Sequence, residues 1–120
     1  MVGCYRQSTP FDLEQELLEK YHLANEYYEK NDYENAISLY KEVLAKRDLI
    51  ADVYKRLAVC YDKTSRLKDA ISVCEKYDRL VDPSDTENLK KLIELYERDG
   101  YKEKASETRK RLDVLLKNKN

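Results

Sequence analysis

Few residues in this chain could do chemistry, and their spacing separates reactivity from packing. His22 is the only histidine, and the three cysteines are Cys4, Cys60 and Cys74. A nucleophile needs a base held beside it, and a structural zinc site needs about four sulfur or nitrogen ligands at short spacings. One histidine and three scattered cysteines meet neither requirement. Cys60 and Cys74 could form a redox pair, but their simpler role is as small buried hydrophobes. Glu14, Glu16, Glu19, Glu26 and Glu29 could suggest carboxylate chemistry, yet on an amphipathic helix such residues make a solvated face. The sequence carries no glycine-rich phosphate loop and no nucleophile motif. The expectation is a protein that is not an enzyme, with no metal and no cofactor.

The elements that must position any site are helices. Charged residues make up 39% of the chain against two glycines and two prolines, a composition for long helices with wet outer faces. Lys and Arg number 23 against 24 Asp and Glu, so the basic footprint of a nucleic-acid binder is missing. No apolar run approaches the ~18 residues of a membrane span. Cysteines without pairing or metal spacing fit a reducing, cytoplasmic setting. Val2-Gly3-Cys4 looks like the end of a bacterial lipoprotein signal without its apolar segment, which leaves a lipid-anchored envelope protein as the alternative. Gly3 is not at position two, so the myristoylation pattern fails.

Residues 1–9 have no periodicity and are expected to form a flexible arm ahead of one helical domain over 10–120. Thr9-Pro10 starts a helix over residues 10–30, with Thr9 as cap and Asp12 favouring its positive end. Its face carries Leu13, Leu17, Tyr21, Ala24 and Tyr28, widened by Leu23 and Tyr27. Further helices are expected over 33–47, from 49 or 50 to 63, and over 67–81. Asp82-Pro83 ends the fourth. Ser84 and Glu87 have capping-box spacing for a fifth over 85–99, and Gly100 suits a left-handed turn before a sixth over 101–117. The sixth has a narrow stripe of Tyr101, Ala105, Thr108, Leu112 and Leu115.

Leu57, Ala58 and Tyr61 stand 34 residues after Leu23, Ala24 and Tyr27. Ala70, Cys74 and Tyr77 likewise follow Ala36, Tyr40 and Val43. A fixed period of this length, with two helices per unit, means a stacked helical repeat. Ala24, Ala36, Ala58 and Ala70 sit where paired helices meet, and replacing Ala36 or Ala70 by Leu should cost ~1–3 kcal/mol through overpacking.

These motifs resemble the tetratricopeptide (TPR) pattern, which pairs Leu-(Gly/Ala)-x2-Tyr with Ala-x3-(Phe/Tyr). The first unit has Leu23-Ala24-x2-Tyr27 and Ala36-x3-Tyr40. The second has Leu57-Ala58-x2-Tyr61 and Ala70-x3-Cys74, with Tyr54 where the family often has Trp. The third has Leu92-Ile93-x2-Tyr96 and Ala105, but Arg109 takes the aromatic position and one extra residue falls near Asp82-Pro83. The resemblance implies an all-α, right-handed α-solenoid of three antiparallel helix pairs, with units over about 17–50, 51–85 and 86–119.

It also implies a groove lined by the first helix of each unit, docking a partner's extended peptide or helix. The family's offsets give Leu18, Tyr21, His22, Asn25, Tyr28 and Glu29 from the first unit and Asp52, Lys55, Arg56, Val59, Asp62 and Lys63 from the second. The third supplies Glu87, Lys90, Lys91, Glu94, Glu97 and Arg98. Lys55, Arg56, Lys90 and Lys91 gather at one level near Tyr21 and His22, as a patch for an acidic segment. The expected binding set is therefore Tyr21, His22, Asn25, Tyr28, Lys55, Arg56, Val59, Lys90, Lys91 and Glu94. The family's five-residue carboxylate clamp maps to Tyr21, Asn25, Arg56, Glu87 and Lys91; only Asn25 is identical, and Glu87 would repel a carboxylate. Lys55→Glu with Lys90→Glu is expected to abolish partner binding with the fold intact. The alternative is a structural subunit or homo-oligomer that associates through Leu112, Leu115 and Leu116 of the last helix.

Overall fold

The structure is a computed structural model that describes residues 9–118. The expected arm, with Cys4, lies outside the described residues except for Thr9. Six helices follow in order: α1 (Pro10–Glu29), α2 (Tyr33–Lys46), α3 (Ala51–Lys63), α4 (Leu67–Leu80), α5 (Thr86–Arg98) and α6 (Lys102–Asn118). Each packs on its neighbours in sequence, as three antiparallel pairs. The body is elongated, 66 × 31 × 21 Å. Residues 47–50 join the first two pairs and 81–85 join the last two, so the extra residue lies in the loop around Pro83.

One turn is used three times. Asn31, Ser65 and Gly100 each follow the end of the first helix of a pair with positive φ, at 63°, 61° and 80°. The next residue's amide then donates back to a tyrosine carbonyl: Asp32 to Tyr27, Arg66 to Tyr61 and Tyr101 to Tyr96, each at 2.8 Å. This Schellman closure satisfies carbonyls that the helix end leaves open and sends the chain back antiparallel. Gly100 was legible as such a residue. Ser65 was not, because a serine side chain is strained there.

The helix starts follow local hydrogen-bonding chemistry. Thr9 Oγ1 accepts from the Asp12 amide at 3.1 Å, and Asp12 Oδ2 accepts from the Thr9 amide at 3.2 Å, a reciprocal cap. The expected Ser84 box does not form. Ser84 turns back on Asp82 Oδ1 through its amide at 2.9 Å and its hydroxyl at 2.7 Å. Asp82 thereby closes a side-chain turn around Pro83, and the cap passes to Asp85. Asp85 accepts from the amides of Glu87 and Asn88 at 3.0 and 3.2 Å.

The core runs along the pair interfaces. Ala24, Ala36, Ala58 and Ala70 are all buried, so the helices approach closely where the small residues stand. Tyr54 is buried with its hydroxyl donating to the Asp48 carbonyl at 2.6 Å. Equivalent leucines differ at one end: Leu57 and Leu92 are 2% exposed, but Leu23 is 41% exposed. Leu13 is exposed as well, so the expected apolar face of α1 is only partly covered. No described helix packs on the far side of α1, as α2 does for α3. On α6, Ala105, Thr108 and Leu112 are buried, while Val114 and Leu116 are exposed and Leu115 is half-buried. Tyr101 precedes α6 and is exposed. Burial of Leu112 in its own chain removes it from any association surface.

Candidate functional site

The site residues expected from the sequence lie on the first helix of each pair, and the structure gathers them into three polar clusters. In the first, the Tyr21 hydroxyl donates to Asp52 Oδ2 at 2.5 Å, and Arg56 Nε meets the same oxygen at 3.3 Å. The Tyr40 hydroxyl, from the second helix of the first pair, donates to Asn25 Oδ1 at 2.5 Å. The Arg56 guanidinium lies 5.6 Å from the centre of the Tyr28 ring, a cation–π distance. His22 is exposed beside Tyr21, with ring centres 5.7 Å apart. The Asp52 hydrogen bond, then burial, raises the Tyr21 pKa. Burial pushes Tyr40 up to about 12, against a downward pull from Arg56. Both tyrosines stay neutral donors.

The second cluster joins α3 to α5. Asp62 accepts from Lys91 Nζ at 3.1 Å and Arg98 Nη1 at 2.8 Å, and Arg98 also meets Glu94 at 3.5 Å. Burial pushes the Asp62 pKa up, but hydrogen bonds from Arg98 and Lys91 outweigh it and hold the carboxyl below its ordinary range.

The third cluster surrounds the start of α5. Asp85, while capping that helix, also receives Lys55 Nζ at 3.0 Å and the hydroxyl of Tyr77. Lys55 lies 5.5 Å from the centre of the Tyr77 ring. Burial would raise the Asp85 pKa, yet the bonds from Tyr77, Lys55 and the Asn88 amide lower it to about 2. Lys90 turns to Glu87 at 3.4 Å, and Val59 is half-buried between the clusters.

The four basic residues of the expected patch therefore each have an acidic partner. Asp52 and Asp62 stood on the predicted surface, and the i,i+4 spacing of Asp52 and Arg56 is a readable pairing signal. Asp85, Tyr40 and Tyr77 join these polar clusters without having been expected there, because they come from loops and second helices with no local mark of their destination.

The thiols take no part. Cys60 and Cys74 are buried and free, and burial pushes their pKa values up to about 11 and about 12. Such thiols hold little thiolate at neutral pH and are poor redox groups. Among the described residues no group of three or more His, Cys, Asp or Glu could hold a metal ion. No described helix is long and apolar enough to cross a membrane.

Comparison with known proteins bears on the fold. Residues 21–54, from the middle of α1 through α2 to the first turn of α3, match the family model for the tetratricopeptide repeat. No curated protein matches the chain. The chain is similar to a solved structure of MamA at 22% identity and a TM-score of 0.74, covering 87% of this chain and 59% of that one. It is also similar to the first TPR of Spaghetti (RPAP3) bound to the HSP90 peptide SRMEEVD, at 20% identity and a TM-score of 0.70, covering 97% of this chain and 86% of that one. A third likeness is to the C-terminal part of a TPR repeat-containing protein from Cytophaga hutchinsonii, at 20% identity and a TM-score of 0.61, covering 77% and 36% respectively. The chain thus spans less than two thirds of the MamA and Cytophaga structures. The matched repeat unit, the thrice-used turn and these likenesses converge on one architecture: the chain has a TPR-like repeat fold of three helix pairs.

Proposed function

We propose that this protein is a non-catalytic interaction scaffold that docks an acidic segment of a partner protein on the face of α1, α3 and α5. Residues 10–120 form one domain in this proposal, working in a cytoplasmic setting, with units over about 17–50, 51–85 and 86–119. The observation that carries it is how the charges are layered. The Lys55 side chain is 50% exposed over an Asp85 that is 13% exposed. Lys91 and Arg98 likewise stand farther out than the Asp62 beneath them. At these two acids the cations are the more exposed partners, open to sharing by partner carboxylates, whereas Arg56 and Lys90 are less exposed than Asp52 and Glu87. Tyr21 and Tyr28, both half-buried, offer rigid contact area beside exposed His22. The RPAP3 structure similar to this chain was solved with an acidic peptide. Here Asn25 already serves Tyr40 and Lys91 already serves Asp62, which favours carboxylate side chains over a clamped chain terminus.

The test is titration of an acidic peptide against its Gln/Asn counterpart, read by fluorescence anisotropy. Lys55→Glu would set a carboxylate against the cap of α5, so Lys55→Gln with Lys90→Glu is the cleaner probe. Binding of the acidic peptide should weaken about tenfold, equivalent to about 1.4 kcal/mol. Equal affinity for the two peptides would overturn the proposal. The second reading, self-association through α6, draws on the exposure of Val114 and Leu116 beside half-buried Leu115. A mass that rises with concentration and falls in Leu116→Lys would support it.

A further inference from the structure

On the opposite side of the molecule, a groove of 370 Å³ runs between α2 and α4, with α3 beneath it. Leu44, Leu57, Tyr61, Val73 and Leu80 make its apolar lining. Leu80 is 43% exposed, so the lining reaches solvent. That volume lies within the usual range of ligand sites and takes a bulky side chain.

The rim carries Lys41, Asp48, Asp69 and Lys76, and none of these four has an ion-pair partner among the described residues. Their order along the groove follows from the repeat. Helices α2 and α4 are equivalent elements of successive pairs and run the same way, 34 positions apart in sequence. Lys41 is thus level with Glu75, immediately beside Lys76. Asp69 is level with Asn35 near the helix starts, and Asp48 lies past the end of α2. Acid, lysine pair and acid therefore follow one another over about 20 Å, at ~1.5 Å of helix rise per residue. An extended segment of about six residues spans that length.

From this order and the apolar lining, we infer a second docking site in the α2–α4 groove. It takes a partner segment with a bulky apolar side chain beside acidic residues at its centre and a basic residue at each end. The apolar side chain enters between Leu44, Leu57 and Val73. The central carboxylates meet Lys41 and Lys76, and the terminal cations meet Asp69 and Asp48. Charge order then sets the specificity, since a segment of opposite order would place like charges together at every level.

Two fluorescent peptides built from the same residues test the inference. One has lysine ends and a Phe-Glu-Glu centre; the other has glutamate ends and a Phe-Lys-Lys centre. The first should bind at least about tenfold more tightly, and Lys41→Glu with Lys76→Glu should invert that preference. Lys55→Gln with Lys90→Glu should leave it unchanged, so loss of the α1–α3–α5 site and loss of this one are distinguishable. Amide chemical shifts should move around Leu44, Leu57 and Leu80. Equal affinities, no binding of either peptide, or a preference abolished only by the Lys55 and Lys90 changes would overturn the inference.

Discussion

The face of α1, α3 and α5 and the groove between α2 and α4 are both rich in charge, but they use it differently. On the first face, Asp52, Asp62 and Asp85 tie neighbouring helices together through Tyr21, Lys91, Arg98 and Lys55. In the groove, the charged groups of Lys41, Asp48, Asp69 and Lys76 form no ion pair among the described residues. Charge that spans a helix–helix gap belongs to the fold as well as to any site. Charge left open on a rim can be changed with little structural cost, so it is free to serve recognition alone.

Stability measurements can break or sharpen this contrast. The largest effect is expected at Asp85→Ala, which removes the cap of α5, the acceptor of the Tyr77 hydroxyl and the partner of Lys55. The combined loss should be about 2–3 kcal/mol in urea unfolding. Asp85→Asn should restore most of the cap. The same carboxylate predicts an acid limb. Its folded pKa of about 2 lies below the ordinary 3.8, so its contribution is full above about pH 4 and is lost as pH falls toward 2. Urea midpoints should drop across that window in the wild type, with a shallower slope in Asp85→Asn; parallel slopes would refute the assignment.

Smaller effects follow. Asp62→Ala unties α3 from α5 at a partly exposed site and should cost about 0.5–1 kcal/mol by the same measurement. Ser65→Gly should act the other way, raising stability by about 0.5–1 kcal/mol, because glycine takes the left-handed turn without strain. Its effect should be insensitive to salt, unlike that of Asp62→Ala. The smallest change is expected for Lys41→Glu with Lys76→Glu, within about 0.5 kcal/mol of wild type by thermal melting. A large loss there would show that the groove charges are structural after all.

The sequence alone determined whatever depends on near neighbours along the chain. Alanines at Ala24, Ala36, Ala58 and Ala70, the 34-residue return of Leu23-Ala24-Tyr27 and the Thr9 cap encode helices, their pairing and their order. These signals are legible because helix contacts repeat every three or four residues and turns are closed by adjacent groups. The tertiary structure decided which acid each base meets. Tyr21 reaches Asp52 across 31 residues, Lys91 reaches Asp62 across 29, and Arg98 reaches the same Asp62 across 36. A helix turns about 100° per residue, so a small change in how two helices roll together would select different partners. Packing also separated exposed Leu23 from buried Leu57, since identical motifs differ only in whether another helix covers them. Competition around Pro83 decided the last case: Ser84 is turned to Asp82 through its amide and hydroxyl, and the Asp85 carboxylate accepts the first free amides of α5 instead.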